Sequence, residues 1–173
     1  MNDPLHRFTP ERQPIFNLPT VVVGLLGVLA AIHFVRTVVL MPDSDFALLI
    51  ALAFIPARVT EPAVVGALPG GTAAGEWSLL TYGLHHPDWG HLIFHGLWLA
   101  AFGSPVAWRF GAVRFLVFAA IGVVAGSALY LAIYPQSMIP LVGASAGVSA
   151  LMAGATRFVF SAGGPFRTFQ GAG

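Results

Sequence analysis

Residues 140–160 read PLVGASAGVSALMAGATRFVF, an apolar run whose one charged residue, Arg157, lies near its end. The run matches a hydrocarbon crossing, which takes about 20 residues at about 1.5 Å each. Within it Ser145 stands between Gly143-Ala144 and Ala146-Gly147, neighbours with almost no side chain. Small residues four apart let helix backbones approach closely. Gly143 and Gly147 form such a pair here, as Gly122 and Gly126 do upstream. Two uses of Ser145 stay open: a helix hydroxyl bonded back to a carbonyl, or a nucleophile. Its register puts it about one and a half turns inside the run, roughly 8 Å below the start.

Composition sets the class. The 173 residues are 57% hydrophobic and 9% charged, against about 25% charged in a soluble domain. This is the signature of an all-α integral membrane protein. A net charge of +1, with no lysine and no basic patch, argues against nucleic acid as a partner. The absence of cysteine excludes disulfides and thiolate metal sites.

Four runs have spanning character, at about residues 18–41, 89–106, 112–134 and 140–160. A polar head, 1–17, precedes them, and a Gly-containing tail, 161–173, follows. A long outer loop occupies 42–88. Its apolar stretch from Phe46 to Pro56 is too short to cross and reads as interfacial or re-entrant. Arg7 and Arg12, Arg109 and Arg114, and Arg157 and Arg167 all fall on one side when four spans alternate. The positive-inside rule makes that side cytoplasmic, the N-terminus included, and turns the long loop outward. Arg36, a turn from the end of the first run, is expected to snorkel to the interface.

The outward side also receives a histidine cluster. In residues 81–95, TYGLHHPDWGHLIFH, Asp88 is placed to cap a helix, and His91 and His95 follow one turn apart on one face. His86 sits just before the helix and can fold over its mouth. Ionisable residues at membrane depth are functional by default. His91 and His95 also have the spacing of helical zinc ligands, with His86 as a third ligand, so a metal or haem site is a minor alternative; the Glu of a His-Glu-x-x-His motif is missing. His33, alone in the first run, reads as a packed side chain. His85 reads as interfacial, and Trp77, Trp89, Tyr82 and Tyr134 as interface anchors.

These residues resemble a known family, the rhomboid intramembrane serine proteases of the bacterial type. The matching pattern is His86, four residues, His91, three residues, then His95 where the family has Asn, combined with Gly143-Ala144-Ser145-Ala146-Gly147 in the fourth run. Trp77, Phe102-Gly103, Arg109-Phe110-Gly111 and the stretch from Phe54 to Arg58 add to the likeness. The resemblance implies a six-span helical bundle, of which four spans are present here, in the inner (cell) membrane of a bacterium. It implies an endopeptidase that cleaves single-span membrane proteins at Ser145, without metal or cofactor. His91 and the residue at 95 would stabilise the oxyanion, with the backbone at Gly143, Ala144 and Ser145, and His86 would shape the cavity.

Three departures accompany it. Trp77 is followed by Ser78 where the family has a loop-ordering Arg. His95 replaces the Asn and leaves two roles open, oxyanion donor or general base. The family's base lies on a sixth span, whereas the last histidine here is His95. The sequence therefore reads as C-terminally truncated, or as an inactive relative that binds transmembrane clients.

Overall fold

The computed structural model of the chain describes residues 17–61, 63 and 68–160. The expected head, except Asn17, and the expected tail lie outside them. Helix α1, Thr20–Val39, ends in a π-helical turn at Val35–Val39. In the outer loop, α2 (Pro42–Leu52), α3 (Ala57–Thr60) and α4 (Ala74–Thr81) follow, and a 3-10 turn, Tyr82–Leu84, continues α4. A continuous rod comprises α5 (Trp89–Trp98), a π-helical turn at Leu99–Gly103, and α6 (Ser104–Phe110). Gly111, at φ +79°, redirects the chain into α7 (Ala112–Ile133). Helix α8, Ser145–Phe160, completes the described bundle.

Helices α1 and α7 are long and apolar enough to cross a membrane, with mean hydropathies of 2.1 and 2.3. A soluble core helix this apolar would be enclosed, yet only 11% of the α7 window is buried, and Val113, Ile121 and Leu129 face outward. Helices apolar on all sides belong in lipid. Between them the buried core joins Val22 and Leu29 of α1, Leu92 and Leu99 of the rod, Phe115 of α7, and Val148 and Leu151 of α8.

The closest packing is between α7 and α8. A Cβ on Gly122 would meet Ala150 Cβ at 2.5 Å, and one on Gly126 would collide with Ala146 and reach the Tyr82 hydroxyl at 2.7 Å. Gly147 returns the contact, its Cβ position lying 3.2 Å from the Ala119 carbonyl. Small residues therefore set the helix spacing, as the Gly122/Gly126 pattern implies.

Three expectations change. Residues 140–144 are not helical: Leu141 pairs with Phe54 as an antiparallel bridge, exchanging hydrogen bonds of 2.8 and 3.2 Å. The fourth helix thus begins at Ser145 instead of 140, and Gly143, at φ +107°, is not one member of a helical small-residue pair. Arg36 does not snorkel. It is 3% exposed and turned inward, held by Asp45 at the start of α2. The Phe46–Pro56 stretch forms the rest of α2 and a short non-helical segment, residues 53–56, after which the Ala57 N–H at the start of α3 donates to the Ser137 carbonyl at 3.0 Å.

Because a methyl on Gly126 would press on both Ala146 and Tyr82, Gly126→Ala should cost about 1–3 kcal/mol through overpacking. Gly24, with open space around its Cβ position, is the control. Detergent unfolding monitored by tryptophan fluorescence should show a large shift for Gly126→Ala and little for Gly24→Ala.

Candidate functional site

The site forms where the start of α5, the start of α8 and the end of α4 meet. Asp88 caps α5 by accepting the His91 N–H at 2.7 Å. That cap fixes the first turn, so His91 and His95 project from one face with ring centroids 4.3 Å apart. His86, just ahead of the cap, folds back on them: its Nε2 lies 3.1 Å from His95 Nδ1, and its ring is 5.7 Å from that of His91.

Gly143 closes the cluster from the α8 side. A Cβ there would lie 3.2 Å from His91 Nε2 and 3.2 Å from His95 Cε1. Both the space and the positive φ therefore call for glycine. Its N–H donates to the Tyr82 carbonyl at 2.9 Å. Two residues later Ser145 opens α8, exposed, as the first helical residue instead of one and a half turns deep. The first N–H groups of a helix lack intrahelical partners and carry partial positive charge. The structure thus gathers His86, His91, His95 and Gly143 in direct contact, with Ala144 and Ser145 following in sequence. Among the described residues no side chain is hydrogen-bonded to the Ser145 hydroxyl.

The surrounding shell differs from the sequence expectation. Tyr82 is not an interface anchor: it is fully buried, and its hydroxyl donates to the Val123 carbonyl at 2.7 Å. Burial pushes its phenol up to about 12. His85 is buried as well, not interfacial. Arg36 donates from Nη1 to the His86 carbonyl at 3.0 Å and clasps Asp45 through Nε and Nη2, at 2.8 and 3.3 Å. Arg58, in the same loop, donates to the carbonyls of Ile50 and Pro69 at 3.0 and 3.1 Å. Trp77 adds a bond from its indole to the Ala51 carbonyl at 3.0 Å. His33 is packed as expected, edge-on to Trp89 with centroids 4.6 Å apart. No sequence signal marks Tyr82 or Arg36 as parts of this shell, since what ties each to it is a backbone carbonyl far along the chain, Val123 for Tyr82 and His86 for Arg36.

The metal alternative finds no support: among the described residues no group of three or more His, Asp or Glu has the geometry to hold an ion.

Burial, then the neighbouring imidazoles of His95 and His91, lowers His86 to about 3. Burial, then the Arg36 charge, lowers His85 to about 4. Below about pH 6.5 an unfolded histidine takes up a proton that neither of these can accept when folded. Stability is therefore complete above about 6.5 and falls with pH down to the folded values, by at most about 1.4 kcal/mol per pH unit for each group. Unfolding midpoints between pH 7.5 and 4.5 should drop steeply, and His85→Phe should flatten the slope.

Compared with the curated proteins, the chain matches none. The Rhomboid domain model matches residues 73–172, more than half of the chain, and takes in the histidine cluster, the α7–α8 contact and Ser145. With that match and the lipid-facing α7, the chain belongs to the rhomboid family of intramembrane proteases, membrane proteins whose substrates are other membrane proteins within the bilayer.

Proposed function

We propose that this chain carries the site of an intramembrane serine endopeptidase that cleaves transmembrane segments of single-span membrane proteins. One observation carries the reading: Gly143 seats the start of α8 against His91 and His95, two residues before an exposed Ser145. Ser145 Oγ attacks the scissile carbonyl and gives its proton to cavity water. The C–N bond then breaks, the departing amine takes up a proton from that water, and a second water hydrolyses the Ser145 ester to release the acid. The oxyanion that forms is met by donors fixed in advance, namely the His91 and His95 imidazoles and the backbone N–H groups at the start of α8. Preorganised donors in a low-dielectric setting are worth far more than the same groups in water. His86 shapes the cavity wall. No metal or cofactor takes part.

Orientation follows from the arginines. The N-terminus lies in the cytoplasm and the loop at 42–88 faces outward, and the resemblance to bacterial members of the family makes the membrane the inner membrane of a bacterium. In this placement the serine loop opens to the outer side, where water reaches it through the polar cavity that the histidines line.

A second reading is a member that holds transmembrane clients without cutting them. It is favoured by the Ser145 hydroxyl, which has no hydrogen-bonded base among the described residues. A serine without its base keeps only the residual catalysis that the oxyanion donors supply.

Fluorophosphonate labelling in detergent separates the two. A protease site should label, with the adduct lost in Ser145→Ala and reduced about 10²–10³-fold when His91→Ala removes one oxyanion donor. An unlabelled but folded protein that still co-purifies with a single-span client would establish the binding reading instead.

A further inference from the structure

His95 stands where a carboxamide stands in the motif that this chain resembles, and an imidazole there has an ambiguity that an amide lacks. A neutral imidazole carries one N–H and one bare nitrogen, and the hydrogen bond made at one nitrogen decides the state of the other. The 3.1 Å contact between His86 Nε2 and His95 Nδ1 holds a single proton. If His95 Nδ1 carries it, His95 Nε2 is bare and can act as a base. If His86 Nε2 carries it, His95 Nε2 must bear the other proton and can act only as a donor.

The far nitrogen of His86 decides between these. His86 Nδ1 is sealed from solvent and has no hydrogen-bond partner. Were His86 the acceptor, its own proton would sit on Nδ1 as a buried N–H with nothing to receive it. Orphaned buried N–H groups are rarer than under-satisfied acceptors. With the proton on Nε2, the sealed Nδ1 is merely a bare lone pair. A doubly protonated His86 would bring the same orphaned N–H and an uncompensated charge. His95 Nε2, by contrast, is not among the sealed, unpartnered atoms.

We infer that His86 is a positioning residue: it donates to His95 Nδ1 and so locks His95 as the Nε2–H tautomer, a hydrogen-bond donor and not a general base. The lock is held from behind, because Arg36 fixes the His86 carbonyl and Asp45 fixes Arg36. The catalytic meaning of this donor rests on the intramembrane-protease reading, whereas the tautomer itself does not.

Nitrogen-15 NMR of the intact protein, histidine-labelled and in bicelles near pH 7.5, reads both nitrogens of each ring. The His95 signals are assigned by their loss in His95→Asn. His95 should show a protonated Nε2 and a bare Nδ1. His86→Leu should release His95 into a mixture of tautomers, and His86→Gln, whose amide N–H can donate in place of the imidazole, should restore the single form. A protonated Nδ1 on His95 in the unaltered protein overturns the inference, even if His86→Leu fails to fold. So does a His95 pattern unchanged in a folded His86→Leu. Fluorophosphonate labelling of Ser145 in the same samples keeps the readings apart: locked His95 without labelling removes the protease and leaves the lock.

Discussion

The contact between α7 and α8 is made almost without side chains, and the site depends on it. Lipid offers no hydrophobic drive for two apolar helices to associate, so attraction comes from close van der Waals approach. Gly122, Gly126 and Gly147 allow that approach, and the space left at Gly126 is filled by Ala146 and the Tyr82 hydroxyl. Tyr82 is thereby clamped between α7, through the Val123 carbonyl, and the serine loop, through Gly143 N–H. The packing that brings the two helices together thus also fixes the height at which Ser145 emerges.

A second constraint is the buried guanidinium of Arg36. A charge out of water is costly unless paired and hydrogen-bonded. Here Asp45 takes two of its donors and the His86 carbonyl a third. That arrangement ties the end of α1, the start of α2 and the histidine cluster to one group. Removing either charged partner would leave the other exposed to the desolvation cost. Arg58, farther along the loop, donates from Nη2 alone to two backbone carbonyls, its Nε and Nη1 being buried without a partner. The outer loop is therefore held by cations that satisfy backbone oxygens, and by the bridge between Phe54 and Leu141.

Much of this was legible in the sequence, for local reasons. The Asp88 cap and the His91/His95 spacing are properties of one helical turn. Gly122 and Gly126 share a face of a single helix, and the span through Ala112–Ile133 follows from hydropathy alone. What could not be read was non-local. Residues 140–144 are apolar enough to pass for a helix, but the N–H groups of Leu141 and Gly143 are taken by Phe54 and Tyr82, far away in the chain. The bridge holds Leu141 extended and Gly143 turns at φ +107°, so the helix starts only after them, which moves Ser145 from inside a span to its first residue. Tyr82 and His85 look amphipathic in isolation; Tyr82 is buried because Val123 of α7 packs on it, and His85 is buried on the side of Arg36 and Asp45.

A polar cluster in an apolar bundle sets a problem of charge as much as of shape. Carboxylates and ammonium groups would each need a counter-ion at depth, and every counter-ion would narrow the space left for a substrate backbone. Imidazoles avoid this, since neutral rings supply directional N–H groups without a Born cost. Three such rings pack edge to face here, at 4.3 to 5.7 Å between centroids. The drawback is that an imidazole does not by itself fix which nitrogen donates, whereas a carboxamide keeps its donor and acceptor on different atoms. Substituting His for Asn at position 95 therefore shifts the burden of specifying the donor onto a neighbour. His86 is the residue in hydrogen-bonding contact with it, and its own backbone is pinned to a charge pair. At position 95 the built-in polarity of an amide thus gives way to a polarity imposed from outside, by the residues behind the ring.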